Sequence, residues 1–149
     1  MSVQRTLVLC KPDAVQRGLV GRIVSRFEDK GFKIVGMKML TVGDALAKEH
    51  YQEHVQKPFF PELVSFITSS PIVAMAVEGD NAVETVRHLM GTTNPQQAGA
   101  GTIRGDFGLN LTKNLVHGSD SFSSAQRELA LFFAPEEIHD YALTLEGWL

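Results

Sequence analysis

The stretch RTLVLCKPD, residues 5–13, decides how the chain is read. Thr6 to Cys10 form an apolar run that reads as a strand entering a core, and Pro12 ends it because proline cannot donate to a sheet ladder. Beyond it, Val20, Ile23, Val24 and Phe27 recur at helical spacing, and Gly31 is placed to close that helix. FKIVGMKML (32–40) alternates as a second strand, and DALAKEHYQEHV (44–55) is helical with Asp44 as its expected N-cap. After Pro58 and Pro61, ELVSFITS (62–69) predicts a short helix, and Pro71 precedes a third strand, IVAMAV (72–77). DNAVETVRHLM (80–90) places Val83, Val86 and Met90 on one helical face. A glycine-rich irregular segment from Gly91 to Lys113 leads to a short strand-like piece, NLVHG (114–118). SDSFSSAQRELALFF (119–133) follows as a helix with Ala125, Leu129 and Phe132 on one side. The order β-α-β-α-α-β-α-loop-β-α predicts an α/β sandwich of the α+β kind, a split β-α-β arrangement with an antiparallel sheet.

The length of 149 residues suits one domain, residues 1–149, with a sizeable core. A net charge of −3 argues against nucleic acid as a main partner, so any anion site must concentrate positive charge locally. The only cysteine, Cys10, lies in the apolar run and reads as a small buried hydrophobe. The apolar runs are too short for a signal-peptide core or a membrane span, which makes a cytoplasmic location and no membrane partner the expectation.

The chemistry gathers late in the chain. His117 sits in NLVHGSDS (114–121), and a neutral imidazole is the best nitrogen nucleophile at neutral pH. One ring nitrogen must attack while the other is held, and Glu128, on the following helix, is the candidate to hold it. Lys11, Arg87 and Arg104 supply cations. The glycines around Arg104 in GTIRGD (101–106) let backbone N–H groups and a guanidinium approach a phosphate together, with Thr92, Thr93 and Asn94 nearby. There is no Walker sequence, GAGTIRG (99–105) misses the dinucleotide fingerprint, and His50 with His54 lacks a metalloprotease glutamate. Phe59 and Phe60, set between two prolines, suggest one buried ring and one exposed stacking plate.

These pieces resemble the nucleoside diphosphate kinase family over essentially the whole chain. The resemblance is carried by TLVLCKPDAVQRGLVGRI, GFKIVGMKML, HYQEHVQKPFFPELV, GTTNP, GTIRGDF and NLVHGSDS, in that order. It implies a ferredoxin-like sandwich with a four-stranded antiparallel sheet covered by helices. It implies a ping-pong reaction in which His117 takes the γ-phosphoryl group of a nucleoside triphosphate and passes it to a nucleoside diphosphate, ribo or deoxy, with Mg²⁺. By the same resemblance Glu128 orients the imidazole and Ser119 sits beside the pair. Lys11 and Asn114 contact the sugar hydroxyl, and Tyr51 supports Lys11 and the leaving oxygen. His54, Arg87, Thr93 and Arg104 hold the phosphates. Phe59 stacks on the base beside Leu63, with Leu111 on its other face, and Asp120 belongs to the Mg²⁺ neighbourhood through water. The implied assembly is a homohexamer, or in some bacteria a tetramer.

Physical chemistry agrees with these roles. Phosphoryl transfer asks a protein mainly for alignment and charge neutralisation. Stacking uses a π-face that every base has, so an aromatic plate without edge contacts tolerates any base. Two departures from the family pattern stand out: Ala100 replaces a common proline in the loop before Arg104, and Leu111 replaces a common valine. The rival reading is a nucleotide-binding regulatory module without turnover.

Overall fold

The computed structural model describes residues 2–149. Strand β1 (Val3–Cys10) runs through the middle of a four-stranded sheet of order β2-β3-β1-β4, all pairs antiparallel. The other strands are β2 (Lys33–Leu40), β3 (Ile72–Asp80) and β4 (Val116–Gly118). This is the ferredoxin-like order expected of a split β-α-β unit. β1 meets β3 from Val3↔Asp80 to Cys10↔Val73, and on its other side pairs Leu9 with His117. The apolar run that opens the sequence therefore carries the strand on which His117 lies.

Both faces of the central strands are buried. On one face Val8, Cys10, Val73, Met75 and Val77 pack against α2 (Val20–Lys30) and α5 (Ala82–Met90), which contribute Ile23, Phe27, Val86 and Met90. On the other, Leu7, Leu9, Ile72, Ala74 and Ala76 pack against α3 (Asp44–His50), α4 (Phe60–Ile67) and α7 (Phe122–Phe132) through Ala47, Ile67 and Phe132. Such two-sided burial explains why β1 and β3 read as nearly continuous apolar runs.

Local chemistry sets most of the boundaries. Gly31 ends α2 with φ 108°, a left-handed cap that glycine adopts without steric cost. Ser121 starts α7 by accepting the Ser124 N–H at 3.1 Å. At α3 the expectation is corrected: Gly43 is the N-cap, and Asp44 lies in the first turn, where its carboxylate faces the positive helix end. Pro12 breaks β1 as predicted but also opens a short helix, α1 (Pro12–Gln16), as its fixed φ allows. The segment expected to be irregular holds a 3₁₀ turn (Pro95–Gln97) and α6 (Ile103–Phe107). Thr102 caps α6 by accepting the Gly105 N–H at 3.0 Å. Both pieces are too short to print an apolar period on the sequence.

Candidate active site

The C-terminal end of β1, strand β4, α5, α7, the segment joining α3 to α4 and the loop before β4 line a cavity of about 660 Å³. His117 lines it with its side chain 24% exposed. Pairing with Leu9 fixes its backbone, and α5 passes so close that a Cβ on Gly118 would lie 2.6 Å from the Met90 sulfur. A larger residue at 118 would therefore have to displace the Met90 side chain.

Glu128, on the second turn of α7, points back to this strand. His117 Nε2 and Glu128 Oε1 are 2.7 Å apart, and Ser119 Oγ donates to the same oxygen at 2.8 Å. Burial pushes the Glu128 carboxyl up, but the bonds from His117 and Ser119 outweigh it and hold its pKa below the ordinary glutamate value. An ionised carboxylate only accepts, so Nε2 carries the proton and the lone pair belongs to Nδ1. Ser119 is fully buried and does not line the cavity, nor do Thr92, Asn94 and Phe60, while the other candidate residues line it.

Cations surround the histidine. Arg87 reaches across from α5, donating to the Gly118 carbonyl at 3.0 Å. Arg104 is buried, and its guanidinium donates to the carbonyls of Asn114, Gly91 and Val116 at 3.1, 3.0 and 2.7 Å. Burial, and then Arg87, pull its pKa down to about 10, which leaves it charged at neutral pH. Two of its five N–H donors remain for a ligand. Lys11 faces the cavity at the end of β1; burial, then Arg104, lower its pKa to about 8, against which Asp13 acts.

Several polar atoms in the site are buried without a protein partner. Asn114 donates to the Thr93 carbonyl at 2.9 Å, but its Oδ1 accepts from no described group. His54 Nδ1 is in the same condition. A buried polar atom left unmatched is costly, so such atoms mark where a ligand would bond, as donor to the Asn114 oxygen and as partner to the His54 ring nitrogen. At the mouth, Phe59 is 44% exposed, as expected of a stacking plate, while Phe60 is only partly buried where a buried ring was expected. Leu63 and the exposed Leu111 line the same mouth, His54 stands 5.6 Å from the Phe59 ring, and Tyr51 lies on the wall beside His50. Burial raises the Tyr51 hydroxyl to about 12 and keeps it a donor. Thr93 and the exposed Asp120 also line the cavity.

Sequence reasoning passed over two residues. His50 is 5% exposed, packs edge-on against His117 with centroids 4.6 Å apart, and is held neutral by burial with its pKa down to about 3. Arg127 lines the cavity and places Nη2 3.6 Å from Glu128 Oε2. Position 50 lies one helical turn before His54 and position 127 beside Glu128; only those spacings hinted at either. His50, His117 and Glu128 also bring three metal-type donors within 4.8 Å of one another, but these are nitrogen-rich and two are already hydrogen-bonded together.

The comparisons agree along the whole chain. The nucleoside diphosphate kinase family profile matches residues 4–138. A nucleoside diphosphate kinase of Pelotomaculum thermopropionicum is 56% identical over 147 residues, 99% of each chain, and one of Gloeobacter violaceus is 54% identical over the same shares. Among solved structures, a halophilic nucleoside diphosphate kinase of Halobacterium salinarum in complex with CDP superposes with TM-score 0.96 at 52% identity, covering 99% of this chain and 98% of that one. A nucleoside diphosphate kinase family protein of Babesia bovis superposes with TM-score 0.95 at 44% identity, covering 97% and 98%. The chain belongs to the nucleoside diphosphate kinase family, enzymes that transfer phosphate between nucleotides.

Proposed function

We propose that the transfer runs through Nδ1 of His117. The observation that carries this reading is the 2.7 Å contact between His117 Nε2 and the Glu128 carboxylate, which leaves the Nδ1 lone pair free to act as nucleophile, on a residue that lines the cavity. The Nδ1 lone pair attacks the γ-phosphorus of a nucleoside triphosphate. A P–N bond forms as the bond to the β–γ bridging oxygen breaks, and the nucleoside diphosphate departs with that electron pair. A second diphosphate then enters, and its β-phosphate oxygen takes the phosphoryl group back from the nitrogen. Glu128 stabilises the positive charge that develops on the ring during the first step.

The remaining residues bind and align. Asn114, with its free buried Oδ1, and Lys11 take the sugar hydroxyl, and Tyr51 supports Lys11 and the leaving oxygen. Arg87, Arg104, His54 and Thr93 hold phosphate oxygens; with an effective dielectric near 20, a cation about 4 Å from an anion contributes roughly 4 kcal/mol before desolvation. Phe59 stacks on the base, flanked by Leu63 and Leu111. These wall residues offer no set of polar groups that would read a base edge, so the proposed substrates are ribo- and deoxynucleotides of any base.

Mg²⁺ fits this cavity as an ion held chiefly by the substrate. The His50–His117–Glu128 donors suit a softer metal than Mg²⁺, which prefers oxygen and keeps several waters. We assign to Asp120, exposed on the wall, the role of reaching such an ion through water. When bound, Mg²⁺ neutralises charge on the phosphate oxygens.

The decisive test is to mix the purified protein with γ-labelled ATP and no acceptor. An acid-labile, alkali-stable label on His117 that a nucleoside diphosphate removes supports the reading; absence of label favours a nucleotide-binding module without turnover. We further infer one domain over residues 1–149, a cytoplasmic location and a homo-oligomer, hexamer or tetramer. No described helix is long and apolar enough to cross a membrane. Met37 and Met39 stand exposed on the edge strand β2, which suits burial against another copy. Light scattering gives the copy number.

A further inference from the structure

Leu115 is fully buried yet adopts φ 75°, a left-handed conformation that costs a non-glycine residue about 1–2 kcal/mol. The Val116 N–H donates to the Asn114 carbonyl at 2.9 Å across it, which makes Leu115 the centre of the rare, strained form of the γ-turn. This turn stands between Asn114 and His117, and its shape sets where both side chains point.

What holds the turn comes from the other end of the chain. Asp13 Oδ2 accepts the Leu115 N–H at 3.0 Å, and the Leu115 carbonyl accepts the Lys11 N–H at 2.8 Å. The Lys11-Pro12-Asp13 break after β1 therefore grips Leu115 on both of its backbone groups. The Asp13 carboxylate is buried, and its other oxygen, Oδ1, has no protein partner among the described residues. That is a costly way to make one hydrogen bond, since a neutral acceptor would serve the N–H alone.

We propose that Asp13 is a positioning residue of the transfer reaction: its carboxylate holds the strained Leu115 turn that seats Asn114 and His117, and its charge balances the Lys11 ammonium facing the same cavity. The inference rests on the reading that His117 carries the phosphoryl group. The charged and titratable groups acting on Lys11 are Arg104, which opposes its protonation; Asp13, which favours it; and His50, which is neutral. Burial and Arg104 draw Lys11 down and Asp13 draws it part of the way back, to about 8, so the ammonium stays protonated at neutral pH. Asp13→Asn keeps an acceptor for Leu115 and removes the charge; Asp13→Ala removes both.

The test compares wild type, Asp13→Asn and Asp13→Ala by the rate of His117 labelling from γ-labelled ATP across neutral to alkaline pH. It also includes an NMR titration of the Lys11 side chain in wild type and Asp13→Asn. Asp13→Asn is expected to label well at low pH, with its alkaline limb and its Lys11 titration both moved to lower pH. Asp13→Ala is expected to lose roughly 10- to 100-fold in labelling at every pH, the scale of a small misplacement of reacting groups. An unmoved Lys11 titration together with wild-type labelling in Asp13→Ala overturns the inference. An unlabelled wild type overturns the His117 reading instead, and the NMR titration still decides for or against the charge role of Asp13. Should Asp13→Ala fail to fold, Asp13→Asn and its Lys11 titration carry the decision alone.

Discussion

Arg104 Nη2 donates to the carbonyl of Val116 at 2.7 Å, immediately before His117 in the chain. A guanidinium that lines the cavity thus also braces the strand bearing His117, the proposed nucleophile. Arg87, by contrast, is exposed and makes one bond to the Gly118 carbonyl. Arg104→Ala strips partners from three buried or half-buried carbonyls and should cost roughly 3–5 kcal/mol of stability as well as activity. Arg87→Ala should cost about 1 kcal/mol or less, with its loss concentrated in phosphoryl exchange. Thermal melting of the two variants checks this, and equal melting losses would refute the bracing role.

Glu128→Gln should leave the fold intact and slow His117 labelling by roughly 10²–10⁴-fold, because the amide no longer stabilises the imidazolium. The pH dependence has a definite sign. The folded-state pKa of Glu128 is depressed, so its contribution to stability is complete above the unfolded value of about 4.3. It is lost as the pH falls through the lower folded value. Acid unfolding followed by circular dichroism should therefore begin at lower pH in Glu128→Gln than in wild type, once the curves are normalised to their neutral-pH stability, because the variant has no such contribution to lose.

Lys11 runs the other way. Its folded pKa of about 8 lies below the unfolded value of about 10.4, so the unfolded chain binds more protons between them and stability rises with pH across that window. Below it the protein carries the full cost of a buried ammonium. Lys11→Met is expected to gain about 1–3 kcal/mol at neutral pH while losing most phosphoryl exchange, and the gain should shrink as the pH is raised towards 10. A Met variant less stable than wild type at neutral pH would contradict the burial cost.

Phe59→Ala removes an exposed ring, so the melting temperature should hardly move. Nucleotide binding should weaken by about 1–3 kcal/mol, nearly the same for purines and pyrimidines and for ribo and deoxy forms. Calorimetric titration with ADP, GDP, CDP and dTDP measures it. A loss confined to purines would point to edge recognition in place of stacking.

Much of the fold was legible because strand and helix periods survive wherever an element is long enough to bury a face. β1, α2, β3 and α5 were read from such patterns, and their apolar positions are the ones found in the core. α6 was read as irregular because five residues cannot display a period, and α3 was given the wrong cap because glycine and aspartate both serve at helix starts. The residues proposed for the site were named from type, spacing and resemblance. His50 and Arg127 were missed because a neighbour along a helix gives no sign of facing the same cavity.

By itself the sequence determined the order of the long elements, the family, and the pair of residue types, imidazole and carboxylate, on which the proposed chemistry depends. Only the tertiary structure decided which ring nitrogen Glu128 engages, that Arg104 spends three donors on backbone, and that Asp13 grips Leu115 from 102 positions away. The reason is physical. Periodicity and turn chemistry are written into neighbouring residues, whereas an orphaned lone pair or a strained turn exists only once distant segments are packed against each other and water is excluded from between them.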